Sequence, residues 1–248
     1  MTDAAASAPQ EPAPLTIDVI SDVVCPWCYV GKRRLAEALE LRPEQPVVVR
    51  WRPFQLDPTI PAGGHDRKAY MARKFGDRVA DVHQRLVEVG KEVDIPFAFD
   101  AIQRSPNTLD AHRLIRWSWT WGVQDALVES LFSAFFTEGL DIGDVEVLAD
   151  RAALVGMDRE EAASFLRSDE SAPEVHREIR QAQDVGVEGV PFFIFAGRVA
   201  ASGAQPAEVL AGAIDQALAA EAAARPAAPV DDDGDEDDDN DEDDVKLD

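Results

Sequence analysis

Residues 17–30 read IDVISDVVCPWCYV, an apolar run that delivers Cys25 and Cys28 to the start of a predicted helix. These are the only cysteines in the chain. Two thiols separated by two residues can close into a small ring, and the N-terminus of a helix stabilises a thiolate on the first of them. The stretch therefore predicts a reversible dithiol/disulfide couple, with Cys25 as the attacking thiol and Cys28 as the resolving thiol.

Length and composition indicate a globular protein. With 248 residues, 46% of them hydrophobic, the chain suffices for one large domain or for a domain that carries an insertion. No apolar run approaches the roughly 20 residues of a membrane span, and residues 1–14 lack the basic start and apolar centre of a signal peptide. We therefore expect a cytoplasmic protein, and in that compartment a lone cysteine pair is more often catalytic, redox-sensing or metal-binding than structural.

The chain is strongly acidic. Its formal net charge is −24, and residues 231–244 alone hold 12 acidic side chains and no basic one. A negative field repels phosphate backbones and anionic lipids, so neither nucleic acids nor membranes are expected as partners. We predict a disordered arm over residues 1–14 and an acidic disordered tail over residues 225–248, the tail serving solubility or weak binding of cations or a basic partner.

The first elements are predicted to be strand, helix and strand. Leu15–Ser21 has the β-branched, apolar character of a buried strand, interrupted only by Asp18. Pro26 suits the first turn of a helix because its missing N–H has no intrahelical partner there, and this helix should end before Pro43. A second strand over Pro46–Phe54 completes a crossover unit, so the two strands should run parallel.

The rest of the chain is predicted to be mainly helical, with no convincing strand between residues 65 and 169. Candidate helices span residues 68–76, 78–90, 108–122, 125–138, 145–155, 158–168 and 172–185. A hairpin of Phe192–Phe195 and Arg198–Ser202, turning at Gly197, and a closing helix over residues 206–224 follow. The four tryptophans outside the cysteine motif, at positions 51, 117, 119 and 121, are expected in the core or at a domain interface.

This order of elements predicts an α/β protein with a thioredoxin fold, in which a large α-helical domain is inserted between the second strand and the hairpin. We assign residues 15–62 and 171–224 to the thioredoxin-like domain and residues 63–170 to the inserted helical domain.

Three separated motifs carry a resemblance to a known family. Residues 21–31 (SDVVCPWCYVG), residues 107–114 (NTLDAHRL) and residues 186–193 (GVEGVPFF) together resemble the DsbA-like oxidoreductases of the FrnE branch. That branch is related to the 2-hydroxychromene-2-carboxylate isomerases and the kappa-class glutathione transferases. The resemblance covers about residues 15–220.

The resemblance implies that the Val190–Pro191 peptide bond is cis and packs opposite the two cysteines. The backbone of Val190 would then pair with an extended substrate, as an added strand does, and place a substrate disulfide beside the attacking thiol. The positions of Asn107 and His112 in the second motif imply that they line the substrate cleft.

Plainer roles are open for the same residues. Asn107 can cap the helix that follows it, and His112 can be a hydrogen-bonded packing residue. Trp27 either contacts substrate or covers the dithiol. A structural zinc site needs four ligands, and with one cysteine pair and four histidines in the chain we expect no metal.

The principal hypothesis is a cytoplasmic thiol–disulfide oxidoreductase that acts on proteins or small molecules through Cys25 and Cys28. It would need no bound cofactor, with glutathione as a candidate redox co-substrate. One alternative is glutathione-dependent isomerisation or transfer on a small aromatic or polyketide-like substrate, although the relatives with that chemistry have Ser where Cys25 stands. The other is a redox- or metal-responsive binding protein. The oligomeric state is left open.

Overall fold

The protein, analysed as a computed structural model, is described over residues 13–224. Its strands are β1 (Leu15–Ser21), β2 (Val47–Pro53), β3 (His65–Asp66), β4 (Arg104–Ser105), β5 (Phe192–Phe195) and β6 (Val199–Ser202). Its helices are α1 (Pro26–Glu40), α2 (Arg67–Phe75), α3 (Val79–Glu92), α4 (Leu109–Ser118), α5 (Gln124–Phe136), α6 (Val145–Leu154), α7 (Arg159–Arg167), α8 (Ala172–Asp184) and α9 (Ala207–Ala224). The predicted tail and nearly all of the predicted N-terminal arm lie outside the described residues.

A four-stranded sheet in the order β2-β1-β5-β6 organises the fold. β1 runs parallel to β2, with Ile17 opposite Val49, and antiparallel to β5, with Ile17 also opposite Phe195. β6 completes the hairpin with β5. Ile17 and Phe195 are fully buried because β1 is a central strand covered on both sides. The predicted α/β class, the parallel unit and the hairpin are all confirmed.

Asp18, the polar interruption of β1, is explained by its neighbours on β2. Its carboxylate accepts hydrogen bonds from Arg50 Nε and Nη2, at 2.9 and 2.7 Å, and from Arg52 Nε at 2.8 Å. Asp18 and Arg50 are direct partners in the parallel register. The acid therefore neutralises two cations across the strand pair instead of breaking the strand.

The helices between β2 and β5 lie close to their predicted positions, with one difference. The single helix predicted over residues 108–122 ends at Ser118, and a 3-10 turn over Trp119–Trp121 leads to Gly122 in a left-handed conformation, at φ 70°. Trp119 and Trp121 are 46% and 39% exposed, so of the two predicted locations the core is wrong for them, and the domain interface stays a prediction. A tight surface turn keeps their large rings partly in solvent.

Two short strands contradict the prediction that residues 65–169 contain none. β3 and β4 pair antiparallel, with His65 opposite Ser105 and Asp66 opposite Arg104. A strand of two residues has no alternating pattern that a sequence can reveal. The pair fixes the start of α2, because Asp66 also caps that helix by accepting the Ala69 N–H at 2.8 Å.

One continuous cluster of buried side chains joins the sheet to the helices that follow β2. Tyr29 of α1 stacks on Phe132 of α5 at a centroid distance of 4.9 Å, and Trp51 of β2 packs edge-on against the same ring. Helix α1, which carries the cysteine motif, therefore packs directly against α5. The assignment of separate domain boundaries stays a prediction. Across residues 13–224, every helix is too short or too polar to cross a membrane.

Candidate active site

Cys25 is the residue directly before the first turn of α1. Its backbone is extended, at φ −92° and ψ 113°, and its N–H donates to the Asp22 carbonyl at 2.9 Å, closing a turn after β1. Its own carbonyl accepts the Cys28 N–H at 3.0 Å. Pro26 begins the helix, as predicted. The Cys25 thiol thus lies at the positive end of the helix dipole.

Cys28 lies behind Cys25, one turn into α1. Both residues are free thiols. Cys28 is fully buried and Cys25 is 4% exposed. Burial raises the pKa of the Cys28 thiol well above its usual value, and the hydrogen bond and negative charge of Cys25 raise it further. Burial and the neighbouring Cys25 therefore both favour the protonated form of Cys28, and of the two residues only Cys25 lines the cavity described below.

The loop before β5 faces the dithiol, as the resemblance implied. The Val190–Pro191 peptide bond is cis. The Cys25 thiol donates a hydrogen bond to the Val190 carbonyl, with 3.6 Å between sulfur and oxygen. The Pro191 carbonyl accepts the Gly203 N–H at 2.8 Å, which ties the loop to the end of β6. The two halves of the site, 165 residues apart in the chain, are thereby brought into contact.

A largely apolar cavity of about 490 Å³ opens beside Cys25. Its walls come from the start of α1, the loop after β2, helices α2 and α3, and the loop before β5. Trp27 and Val190 line it together with Cys25, whereas charged side chains of α2 and α3 stand among its apolar residues. A volume of this size accommodates a small organic molecule or a peptide side chain.

Asn107 is held by structural contacts next to α4. Its side-chain oxygen accepts the Leu109 N–H at 2.9 Å and a hydrogen bond from Gln55, and its amide donates to the Ile60 carbonyl at 2.6 Å. The cap role is therefore observed, with Asn107 one residue before the position the helix geometry assigns to the cap. The neighbouring Thr108, rather than Asn107, contributes to the cavity wall. A substrate contact by Asn107 stays a prediction.

His112 is buried beneath the motif, where it faces an acid that the sequence reasoning missed. Asp22 is 1% exposed and lines the cavity. Its Oδ2 accepts the Leu56 N–H at 2.8 Å, and its Oδ1 lies 3.4 Å from His112 Nε2 without forming a hydrogen bond. An acidic residue in an apolar run, three positions before Cys25, was the available signal. Contact of His112 with substrate stays a prediction, because it reaches the site only through Asp22.

Comparison with known proteins places this geometry in a family. Residues 16–215 match the DSBA-like thioredoxin domain. The chain belongs to this DSBA-like family. A probable DsbA oxidoreductase of Streptomyces coelicolor has a solved structure that superposes with a TM-score of 0.78 at 29% identity, covering 88% of this chain and 94% of that one. The uncharacterized protein YwbO of Bacillus subtilis is 28% identical over 188 residues, 74% of this chain and 88% of its own length.

A more distant structural neighbour shares the fold of this DSBA-like protein. The structure of a 2-hydroxychromene-2-carboxylate isomerase matches with a TM-score of 0.63 at 18% identity, covering 85% of this chain and all of that one. The predicted relationship to the 2-hydroxychromene-2-carboxylate isomerases is therefore confirmed at the level of fold, whereas the relationship to the kappa-class glutathione transferases stays a prediction. Among residues 13–224, no three side chains of the metal-ligating types come together as a metal site.

A substitution at Gly31 tests how tightly α1 of this DSBA-like protein packs against Pro191 and Phe193. A Cβ added there would lie 2.9 Å from Pro191 Cγ and 3.2 Å from Phe193 Cζ. Because Pro191 is anchored through its carbonyl, we expect Gly31→Ala to lower the free energy of unfolding by about 1–2 kcal/mol, overpacking outweighing the gain in helix propensity. Urea unfolding measures this. Gly212→Ala in α9, where nothing lies within 4 Å, is the control and should be neutral or stabilising; equal effects would contradict the packing argument.

Proposed function

We propose that the protein is a thiol–disulfide oxidoreductase, with Cys25 as the nucleophile and Cys28 as the resolving thiol. The observation that carries this is the arrangement of the two sulfurs. Cys25 lines an open cavity at a helix N-terminus, and Cys28 lies fully buried behind it with a raised pKa. Membership of the DSBA-like family supports the same chemistry.

In the first half-reaction, the Cys25 thiolate attacks one sulfur of a substrate disulfide. A bond forms between Cys25 Sγ and that sulfur, and the other substrate sulfur leaves as a thiolate. The Val190 carbonyl, 3.6 Å from Cys25 Sγ, marks where the substrate backbone would pair beside the nucleophile, as an added strand does. Trp27 and the apolar cavity wall would hold the adjoining part of the substrate.

In the second half-reaction, Cys28 loses its proton and attacks Cys25 Sγ. The Cys25–Cys28 disulfide forms, and the remaining substrate sulfur leaves, so the substrate is reduced by two electrons and the protein oxidised by two. Two of the causes that raise the pKa of Cys28 are the hydrogen bond and the charge of Cys25. Burial, the largest cause, persists in the mixed disulfide, whereas the two contributions of Cys25 end there, so the change on forming the mixed disulfide is in the direction that favours the Cys28 thiolate.

Two equivalents of a thiol such as glutathione would return the pair to the dithiol, and the reverse sequence would oxidise a substrate dithiol. We propose a cytoplasmic location, where a lone cysteine pair is more often catalytic than structural. Substrates would be proteins or small molecules that contain a thiol or a disulfide.

Replacing Cys28 with Ser tests the proposed order of the two cysteines. The first half-reaction should proceed and the second should stop, so we expect Cys28→Ser to accumulate one mixed disulfide on Cys25. The protein is exposed to a client protein that contains a disulfide or to an aromatic disulfide. Intact-mass measurement then detects the adduct, and peptide mapping identifies the cysteine that carries it. Wild-type protein should release the same adduct as the internal disulfide forms.

The matched control is the variant in which both cysteines are Ser, which should form no adduct. Turnover of a disulfide substrate by Cys28→Ser at the wild-type rate would overturn the assignment of Cys28. An absence of any adduct in Cys28→Ser would overturn the assignment of Cys25.

The cavity favours a second candidate, glutathione-dependent isomerisation or transfer on a small aromatic substrate. Its volume of about 490 Å³ and its apolar walls suit such a molecule. Chemistry of this kind needs one sulfur or none, so it would survive Cys28→Ser, whereas disulfide turnover would not. Assays of both activities on that one variant separate the two candidates.

A further inference from the structure

The wall of the cavity beside Cys25 includes an arginine, and most of its N–H donors lack a hydrogen-bond acceptor in the described part of the chain. Arg67, the first residue of α2, lines the cavity and packs its guanidinium over the Phe135 ring at 5.8 Å. Its one side-chain hydrogen bond within residues 13–224 is long, 3.4 Å from Nη1 to Ser105 Oγ. Its Nε is buried without a partner, and burial lowers the pKa of the side chain from its usual value.

A histidine nitrogen on the same wall also lacks a hydrogen-bond partner among the described residues. His83 of α3 lines the cavity and stacks on Phe99 at a centroid distance of 4.3 Å. Its Nε2 is buried without a partner in the described part of the chain. Burial lowers the pKa of His83, the charge of Arg67 lowers it further, and the charge of Asp100 acts in the opposite direction. Both Arg67 and His83 line the same cavity.

A buried donor without a partner is costly, and more so when it is charged, so folded proteins rarely leave one unless water or a ligand completes it. Arg113 shows the ordinary outcome in this protein. That side chain is 3% exposed, and each of its guanidinium nitrogens donates to an oxygen. Arg67 departs from this pattern at a cavity wall, where a ligand can reach it.

The charges around the cavity favour an anion at this position. Lys74 and Arg85 also line it. Of its two acids, Asp57 already accepts hydrogen bonds from Thr59 and Tyr70, and Asp22 lies at the dithiol end beside Leu56. The cationic wall is notable in a chain whose formal net charge is −24, because such a protein repels anions elsewhere on its surface.

We propose that the cavity binds disulfides or thiols whose apolar body carries a carboxylate, with the carboxylate on Arg67 and His83 and the sulfur beside Cys25. A planar carboxylate can accept from the guanidinium fork and from the imidazole N–H together. The apolar lining between the two ends accommodates an aromatic or aliphatic body. This proposal rests on the proposed function, since it names the substrate class of the same site.

Two aromatic disulfides that differ in charge test the proposal on the whole protein, each variant being compared with wild type on both. One is 5,5′-dithiobis(2-nitrobenzoate), which carries carboxylates, and the other is 2,2′-dithiodipyridine, which is neutral. Stopped-flow absorbance gives the rate constant of the reduced protein with each. We expect Arg67→Met to lower the ratio of the anionic to the neutral rate constant at least tenfold, and Arg67→Lys, which retains charge without the fork, to lower it less.

Lys68→Met is the matched control, because it removes one positive charge from the adjacent, exposed position of α2 outside the cavity. That variant should leave the ratio within about twofold of wild type. An equal fall in Lys68→Met and Arg67→Met would overturn the proposal in favour of general charge attraction, as would an unchanged ratio in Arg67→Met. Failure of wild-type protein to react with either disulfide would instead refute the proposed function. Thermal unfolding verifies folding, and Arg67→Met should be no less stable, since it removes an unpaired buried charge.

Discussion

Replacing Cys25 with Ser is expected to reduce disulfide turnover to the uncatalysed rate, a fall of at least about 1,000-fold, or roughly 4 kcal/mol in activation free energy. A Ser hydroxyl is not ionised at neutral pH at this helix end and cannot form a bond to sulfur that Cys28 then resolves. Cys28 cannot substitute for Cys25, because it is fully buried and its pKa is raised. The measurement is the rate of insulin reduction by glutathione.

The size and burial of residue 25 make this a test of chemistry rather than of folding. Ser is nearly isosteric with Cys, and within residues 13–224 the Cys25 side chain hydrogen-bonds only to the Val190 carbonyl and to Cys28. The unfolding midpoint of Cys25→Ser should therefore stay close to that of wild type. Retention of more than a tenth of wild-type turnover by the folded variant would rule out Cys25 as the essential nucleophile.

The parts of the fold that could be predicted are those with strong local patterns. Leu15–Ser21 is a run of β-branched residues, Pro26 marks a helix start, and the hairpin after Pro191 has two short apolar runs about Gly197. The parts that could not be predicted depend on contacts from elsewhere. β3 pairs with β4 across nearly 40 residues of sequence, and nothing in the local sequence of His65–Asp66 indicates that it forms a strand or which segment it pairs with.

The same distinction applies to the candidate site. The dithiol could be predicted because both cysteines stand in one helix turn, and the family resemblance supplied the loop at Val190. The far wall of the cavity could not, because Arg67 and His83 lie on different helices and look like ordinary surface charges in the sequence. What marks them is the burial of their nitrogens without a partner, which only the folded structure reveals.

Arg113, in the second family-like motif, is expected to contribute more to the free energy of unfolding than Arg67 or Arg116. Its Nε donates to the Glu170 carbonyl at 2.7 Å, and Nη2 donates to the carbonyls of Phe165 and Ser168 at 2.9 and 2.6 Å. Nη1 bonds Asp110 and the Leu166 carbonyl. Two of these acceptors, the Phe165 and Leu166 carbonyls, lie in the last turn of α7, where backbone carbonyls run out of intrahelical N–H donors; Phe165 also accepts the Ser168 N–H.

We expect Arg113→Met to lower the free energy of unfolding by about 3–5 kcal/mol. Replacing a buried ion pair with an apolar side chain is often harmless when both partners go, but here the buried Leu166 carbonyl and the part-buried Ser168 and Glu170 carbonyls lose the donor that Arg113 supplies, and Asp110 loses its cation. Those losses exceed the gain from removing a buried cation. Loss of the stacking of the guanidinium on Phe165, 5.1 Å from its ring centroid, adds to them.

Arg116→Met provides the matched comparison, because it removes the same side chain one turn along α4. Arg116 is partly exposed, and its Nε donates to Glu178 at 3.0 Å, a surface ion pair worth about 1 kcal/mol or less. Urea unfolding of both variants, with an unchanged dependence on denaturant, measures the difference. If the two midpoints fall equally, the carbonyls of α7 must find other donors, and the contribution of Arg113 reduces to that of a surface charge.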